Sequence, residues 1–114
     1  MGSVDQHHVL RMLAVRDRAF FTLVDQDEMD NLQVSELAAQ QAAMVRFAAL
    51  VALGGAVASY GYVVDYALSV GVTADELVGA LIAVMPSTGA DRVVAAAPKL
   101  GLALGYDVDA ALER

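Results

Sequence analysis

The chain has 114 residues, a length that suits one compact domain with a single hydrophobic core. Hydrophobic residues make up 58% of it and charged residues only 18%, so polar groups can hardly cover a monomer. We therefore expect a homo-oligomer that buries apolar surface between its subunits. The net charge of −7, with only seven scattered basic residues, argues against nucleic acid as a partner.

The sequence contains no cysteine, which excludes disulfides, iron–sulfur ligation and thiolate catalysis. The only histidines, His7 and His8, are adjacent, and adjacent helical residues point about 100° apart, so we expect no metal site. An acidic cluster matches no complete calcium-binding loop and is interpreted as a solvated loop: Asp25, Asp27, Glu28 and Asp30. No cofactor is expected.

The sequence predicts neither a signal peptide nor a membrane span. The first eight residues are polar and lack a basic segment followed by an apolar core, so we expect a cytoplasmic protein. The uncharged run from Phe47 to Val64 is long enough to be a membrane-span candidate. Glycines interrupt that run, however, and Arg46 and Asp65 bound it without a basic flank, so we expect no membrane partner.

Apolar side chains from Val4 to about Val24 recur close to the spacing of one helical face, which predicts a first helix capped by Asp5. The acidic stretch that continues to Asn31 is predicted to be a connection. Residues 1–34 are thus expected to form an N-terminal helix and an acidic connection, and residues 35–114 the principal helical region, within one compact domain overall.

Ser35 is a plausible N-cap for a long helix that begins at Glu36 and breaks or bends at Gly54-Gly55. A further helix is predicted over residues 56–70. Gly71 then stands where helices commonly end in a left-handed residue.

Thr73 and Glu76 have the spacing of a capping box, which predicts a helix that continues to about Met85. Pro86 and Gly89 follow this helix and predict a break before the next one.

The next helix is predicted from residue 88 or 89 to residue 103, with an irregularity or kink at Pro98. Gly105 ends it, and Asp107 is expected to cap a final short helix through Leu112. No segment requires a strand, so the predicted fold class is all-α. The many small residues favour a tight helical bundle, because they let helices approach closely.

The stretch from Ser35 to Glu113 resembles the carboxymuconolactone decarboxylase and alkylhydroperoxidase D-like superfamily. The order and spacing of several segments carry the resemblance: 48–53, 67–78, 81–84, Gly89, 95–100 and 103–107. It implies an all-α, alkylhydroperoxidase D-like helical bundle that assembles into trimers, hexamers or related rings.

Peroxidase-type members of this superfamily carry a C-x-x-C-x-x-x-H motif and an upstream glutamate that relays protons. Aligned on Gly71, the two cysteine positions hold Ala56 and Ser59, the histidine position holds Val63, and the glutamate falls near Met44. A thiol peroxidase needs a low-pKa thiolate and a resolving thiol. The resemblance therefore implies a degenerate active site, and we expect no peroxidase activity of that type.

The decarboxylases of the superfamily lead one to expect histidine and carboxylate groups in the pocket. The histidines of this chain lie far upstream, and Asp65 falls nearly opposite Ala56 on the helical wheel. We therefore expect a small-molecule binding or accessory protein, or a non-redox enzyme. One alternative is a cofactor-free lyase for a small carboxylated or lactone substrate, with its acid and base drawn from Arg92, Asp91, Tyr60 or a neighbouring subunit. A second is a structural oligomer subunit without a ligand site.

The candidate pocket consists of residues around the helical face that carries the aligned cysteine and histidine positions: Ser59, Tyr60, Tyr62, Val63, Tyr66 and Arg92. The tyrosines either contact a ligand or fill the volume of the bundle and its subunit interface. No base stands at a useful helical spacing from Ser59, so its hydroxyl is interpreted as a structural group and not as a nucleophile.

Ser87 or Thr88 is expected to cap a helix; the alternative is that they hold a carboxylate with Arg92.

Overall fold

The computed structural model describes residues 5–106, and over this range the regular secondary structure is all α-helix, with no strand, as the sequence predicts. The helices in chain order are α1 (Gln6–Ala14), α2 (Arg18–Gln26), α3 (Glu28–Ser35), α4 (Ala39–Leu53), α5 (Val57–Ser69), α6 (Ala74–Thr88) and α7 (Ala90–Ala103). The predicted short helix capped by Asp107 lies outside the described residues.

Residues 5–38 hold three helices, so the prediction of one helix followed by a connection is wrong. Asp5 caps α1 as expected, accepting a hydrogen bond from the His7 amide at 3.0 Å. The helix then stops, because Arg16 takes a left-handed conformation with φ 54°. Asp17 begins α2 by accepting the Phe20 amide at 2.9 Å.

The acidic cluster is also helical, contrary to its interpretation as a loop. The side chain of Asp27 accepts hydrogen bonds from the amides of Met29 and Asp30 at 2.9 and 3.0 Å and thereby caps α3. Glu28 and Asp30 lie in the first turn, where carboxylates interact favourably with the positive end of the helix dipole.

Ser35 ends a helix and does not begin one, which corrects the predicted N-cap. Its hydroxyl donates to the Leu32 carbonyl at 2.7 Å and accepts the Leu37 amide at 3.2 Å. Glu36 then adopts a left-handed conformation with φ 59°, and α4 begins at Ala39. Serine satisfies backbone groups at either end of a helix, so its presence alone does not distinguish the two.

The predicted boundaries from α4 onward agree better with the structure. The break at Gly54-Gly55 is confirmed, and Gly71 follows α5 with φ 98°. The capping box is confirmed as well: Thr73 Oγ1 accepts the Glu76 amide at 3.1 Å, while Glu76 Oε1 accepts the Thr73 amide at 2.9 Å.

Helix α6 extends past its predicted end at Met85 and includes Pro86. Proline near a helix end removes only one backbone hydrogen bond, so the chain can continue to Thr88. Gly89, with φ 86°, then separates α6 from α7. Pro98 lies inside α7, as expected.

The described residues divide into two compact units, 5–38 and 39–106. In the second unit, α4 and α7 pack against each other and against both α5 and α6. Each of these four helices contributes buried side chains to one core: Phe47 and Val51, Tyr60 and Val64, Leu77 and Leu81, and Val93 and Leu100.

The first unit has a weaker core. Helix α2 packs on α1 and α3, but none of residues 5–38 is buried. Its apolar side chains are at most partly buried, including Val9, Phe20, Val24 and Leu32.

No single helix within residues 5–106 is both long and apolar enough to cross a membrane; the consecutive helices α3 and α4 reach that length only jointly. The uncharged run noted in the sequence is divided between α4 and α5 by the Gly54-Gly55 turn.

We predict that Thr73→Ala lowers the free energy of unfolding by roughly 0.5–2 kcal/mol, because the substitution removes the side-chain cap of α6. Urea unfolding followed by circular dichroism measures the effect. Thr88→Ala is the matched control at the other end of α6, where the hydroxyl donates to the Val84 and Gly89 carbonyls, both at 3.3 Å, and caps no amide of the helix start. Its expected change is within about 0.5 kcal/mol, and equal losses in the two variants would contradict the importance of the capping box.

Candidate functional site

Tyr60, a candidate pocket residue, belongs to the hydrophobic core. It is only 1% exposed, and its ring meets the edge of Phe47 with the centroids 6.1 Å apart at 88°. Lys99 Nζ lies 5.8 Å from the centroid of the same ring. Burial raises the pKa of the Tyr60 phenol. For this residue the structure supports the packing alternative that the sequence left open.

The other candidate residues differ in burial. Ser59 and Tyr62 are exposed on α5, Tyr62 at 63%. Val63 and Tyr66 are partly buried against the core, and the Arg46 guanidinium lies 5.7 Å from the centroid of the Tyr66 ring.

Arg92 extends from α7 to the turn between α4 and α5, where its Nη1 makes a long hydrogen bond of 3.5 Å to the Leu53 carbonyl. Lys99, two helical turns further along α7, donates to the Gly55 carbonyl at 2.7 Å. Both cations thus meet carbonyls at the carboxyl end of α4, where positive charge is favourable.

The four positions that the resemblance aligns with the peroxidase residues differ in their surroundings. Ala56 is the N-cap of α5 and, like Ser59, is exposed, whereas Val63 is partly buried one turn later. Met44 is different, because it lies on α4 and lines an open groove between α4 and α6.

This α4–α6 groove has a volume of about 380 Å³, within the range of about 300–1,000 Å³ that is common for small-molecule sites. Its lining is apolar apart from a single hydroxyl: Met44, Val45 and Ala48 from α4, and Ala80, Ala83, Val84 and Ser87 from α6. None of these side chains is titratable. The groove can therefore hold an apolar molecule, but it offers no acid or base to one.

Sequence reasoning missed this groove. Two signals for it exist: small residues recur at helical spacing on α6, at Ala80, Ala83 and Ser87, and no charged residue occurs from Leu77 to Thr88. Neither signal places α6 beside α4, and only that pairing creates the groove.

The first unit carries a smaller cleft of about 280 Å³ among its three helices. Its lining is again mostly apolar: Val9, Leu13, Phe20, Val24, Asn31, Val34 and Ser35. The Asn31 amide donates to the Val24 carbonyl at 2.8 Å, so its hydrogen bond serves the backbone of the unit. Among residues 5–106, no group of three or more histidine or carboxylate side chains is placed to hold a metal ion.

Comparison with known proteins finds no family model that matches this chain, and neither a curated protein nor a solved structure that is significantly similar to it.

We predict that Gly54→Ala destabilises the protein by about 2 kcal/mol. Gly54 has φ 79°, which costs a residue with a side chain about 1–2 kcal/mol, and an added Cβ would also collide with the Arg92 guanidinium. Denaturant unfolding of Gly54→Ala, Arg92→Ala and the double variant separates the two causes, since only the collision disappears with Arg92. Gly61→Ala is the control: Gly61 lies inside α5, and among residues 5–106 the added Cβ would meet no atom within 4 Å beyond the backbone of its own helix, so this variant should be stabilised by up to about 1 kcal/mol.

A pH dependence follows from the burial of Tyr60. Its pKa is raised in the folded state, so its contribution to stability is complete below the ordinary tyrosine pKa of about 10 and is lost as pH rises through the folded value. The free energy of unfolding should therefore fall more steeply above this pH in the native chain than in Tyr60→Phe. Urea unfolding across this pH range measures the difference, and parallel pH profiles for the two proteins would rule it out.

Proposed function

We propose that this chain is a small-molecule binding or accessory protein that takes an apolar ligand in the α4–α6 groove and performs no thiol chemistry. The observation that carries the proposal is the lining of the groove: about 380 Å³ walled by methyl, methylene and thioether groups, with one hydroxyl from Ser87 to orient a ligand. Sites for small molecules are typically apolar concavities with few polar groups of this kind.

We further propose membership of the carboxymuconolactone decarboxylase and alkylhydroperoxidase D-like superfamily, with assembly as a homo-oligomer. The all-helical architecture of residues 5–106 is compatible with this proposal, which rests on the segments of resemblance in the sequence. Met44 stands near the family's glutamate position and lines the groove. Under this proposal, a position that serves proton transfer in peroxidases here contributes only apolar surface.

Binding is favoured over the lyase alternative by the positions of the groups that a lyase would use. General acid–base catalysis requires a titratable group within hydrogen-bond reach of the substrate. Tyr60 is buried in the core, Arg92 is engaged at the α4–α5 turn, and Asp91 is exposed in the first turn of α7. None of the three lines the groove.

A structural oligomer subunit remains the second candidate, favoured by large apolar side chains on the surface of the second unit. Examples occur on each of its helices: Val45, Leu53, Tyr62, Ile82 and Val94 are all at least half exposed. Protein surfaces normally carry such residues singly, and their number here favours burial by other subunits.

We predict that Ala48→Leu weakens binding of the neutral apolar dye Nile red by at least about tenfold, because the larger side chain fills the groove from its α4 wall. Fluorescence titration measures the affinity. Ala49→Leu is the matched control, since Ala49 is the next residue of α4 and is exposed but outside the groove lining. Circular dichroism establishes that both variants are folded. Equal dye affinities in the two variants, or no saturable binding by the native chain, would refute the groove as a ligand site.

A further inference from the structure

The lining of the α4–α6 groove restricts the charge of a ligand. No charged residue occurs from Leu77 to Thr88, a segment that contains the whole α6 wall. The one charged residue within the α4 wall is Arg46, whose guanidinium lies 5.7 Å from the centroid of the Tyr66 ring on α5 and does not line the groove. An ion in the groove would lose water and gain no oppositely charged partner, which is unfavourable. The lining therefore favours a ligand without charge.

A negatively charged ligand is disfavoured for two further reasons. The chain has a net charge of −7, so its overall field repels anions. The groove also extends to the carboxyl end of α6, because Ser87 lies in the last turn of this helix, which ends at Thr88. That end of a helix carries a partial negative charge, and no basic residue in the last turn of α6 offsets it. A carboxylate placed beside Ser87 would be repelled.

Ser87 makes one end of the α6 wall polar, whereas the wall residues that precede it are alanines and a valine. Within residues 5–106, the Ser87 hydroxyl makes no hydrogen bond, while the hydroxyl of the neighbouring Thr88 donates to the Val84 and Gly89 carbonyls. A serine hydroxyl can both donate and accept. The Ser87 hydroxyl is therefore available to a polar group at one end of a ligand.

The dimensions of the groove indicate the size of a ligand. Ala80 and Ser87 bound the α6 wall, which is about 10 Å long at a rise of about 1.5 Å per residue. The volume of about 380 Å³ holds roughly a dozen non-hydrogen atoms if each takes the roughly 30 Å³ of one water molecule in the liquid. An unbranched chain of about ten carbons with one terminal polar group fits both limits.

From these features we infer that the α4–α6 groove binds an uncharged aliphatic alcohol of medium chain length, with its hydroxyl on Ser87 and its chain along α6 towards Ala80. This ligand class rests on the proposed function, to which it adds the charge, length and orientation of the ligand. A terminal hydroxyl fits this end of the groove better than a carbonyl, because a hydroxyl can donate. Donors are favoured at the carboxyl end of a helix, where the partial charge is negative.

Three ligands with the same chain test the charge preference. Decanol is neutral, whereas at about pH 7 decanoate is negative and decylamine is positive. Isothermal titration calorimetry should show that the native chain binds decanol at least about tenfold more tightly than either ion. Ala48→Leu should weaken decanol binding, and Ala49→Leu is the matched control. Binding of decanoate or decylamine as tight as that of decanol would overturn the inference.

The pH dependence of decanoate binding gives a second test of charge. A carboxyl group of this kind has a pKa of about 4.3, so its neutral fraction rises about tenfold for each pH unit between about pH 7 and pH 5.5. The apparent affinity for the ligand should rise by up to the same factor, because the neutral acid is the form that the groove accepts. Decanol is the control and should bind equally across this range. An affinity for decanoate that does not change with pH would show that the anion binds and would contradict the inference.

Ser87→Ala tests the orientation of the alcohol. Losing one hydrogen bond should weaken decanol binding by about two- to tenfold. Ser87→Thr keeps a hydroxyl at this position and should retain most of the affinity, which a general disturbance of α6 would not predict. Thr88→Ala is the matched control, because Thr88 is the next residue and does not line the groove. Circular dichroism shows whether each variant is folded. Unchanged decanol binding by Ser87→Ala, or an equal loss in Thr88→Ala, would refute the contact with Ser87.

The same titrations distinguish this inference from the proposed function. If Ala48→Leu weakens binding of all three ligands and decanoate binds as tightly as decanol, the groove is a ligand site but its preference for a neutral alcohol is wrong. If Ala48→Leu and Ala49→Leu bind Nile red and decanol equally, the groove is not a ligand site, and both the proposed function and the ligand class fail.

Discussion

Burial of the Tyr60 ring brings α4, α5 and α7 of the second unit into contact. One side chain of α7, Lys99, covers this ring of α5 and at the same time donates to the Gly55 carbonyl, so it connects α5, α7 and the end of α4. Phe47 completes the cluster from α4. With these three helices held together, α4 and α7 present the surfaces on which α6 packs, and the groove forms beside the α4–α6 contact.

The sequence predicted those parts of the fold that local chemistry determines. Asp5, the Thr73–Glu76 capping box and the Gly54-Gly55 break act through backbone atoms within a few residues, and all three are confirmed. The failures occur where two local outcomes are equally satisfactory. Ser35 can bond backbone groups at either end of a helix, and the acidic cluster that resembles a solvated loop is equally suited to the start of α3.

The candidate site was harder to predict, because a site depends on which helices become neighbours. The helical wheel predicts that Ser59 and Val63 share a face of α5, but it does not show that Tyr60 beside them points into the core. The groove was not predicted, because its walls are mostly alanines and valines, which form no motif that would mark a binding site. Sequence patterns indicate sites mainly through charged and titratable residues, and the groove contains none.

The weak core of residues 5–38 affects how the chain opens. A segment of fewer than about 40 residues rarely folds alone without a disulfide, a metal or a partner, and this unit has no cysteine and buries none of its described side chains. Local opening requires little free energy where few apolar contacts must be broken. Backbone amides of α1 to α3 should therefore exchange hydrogen with solvent through local openings of this unit.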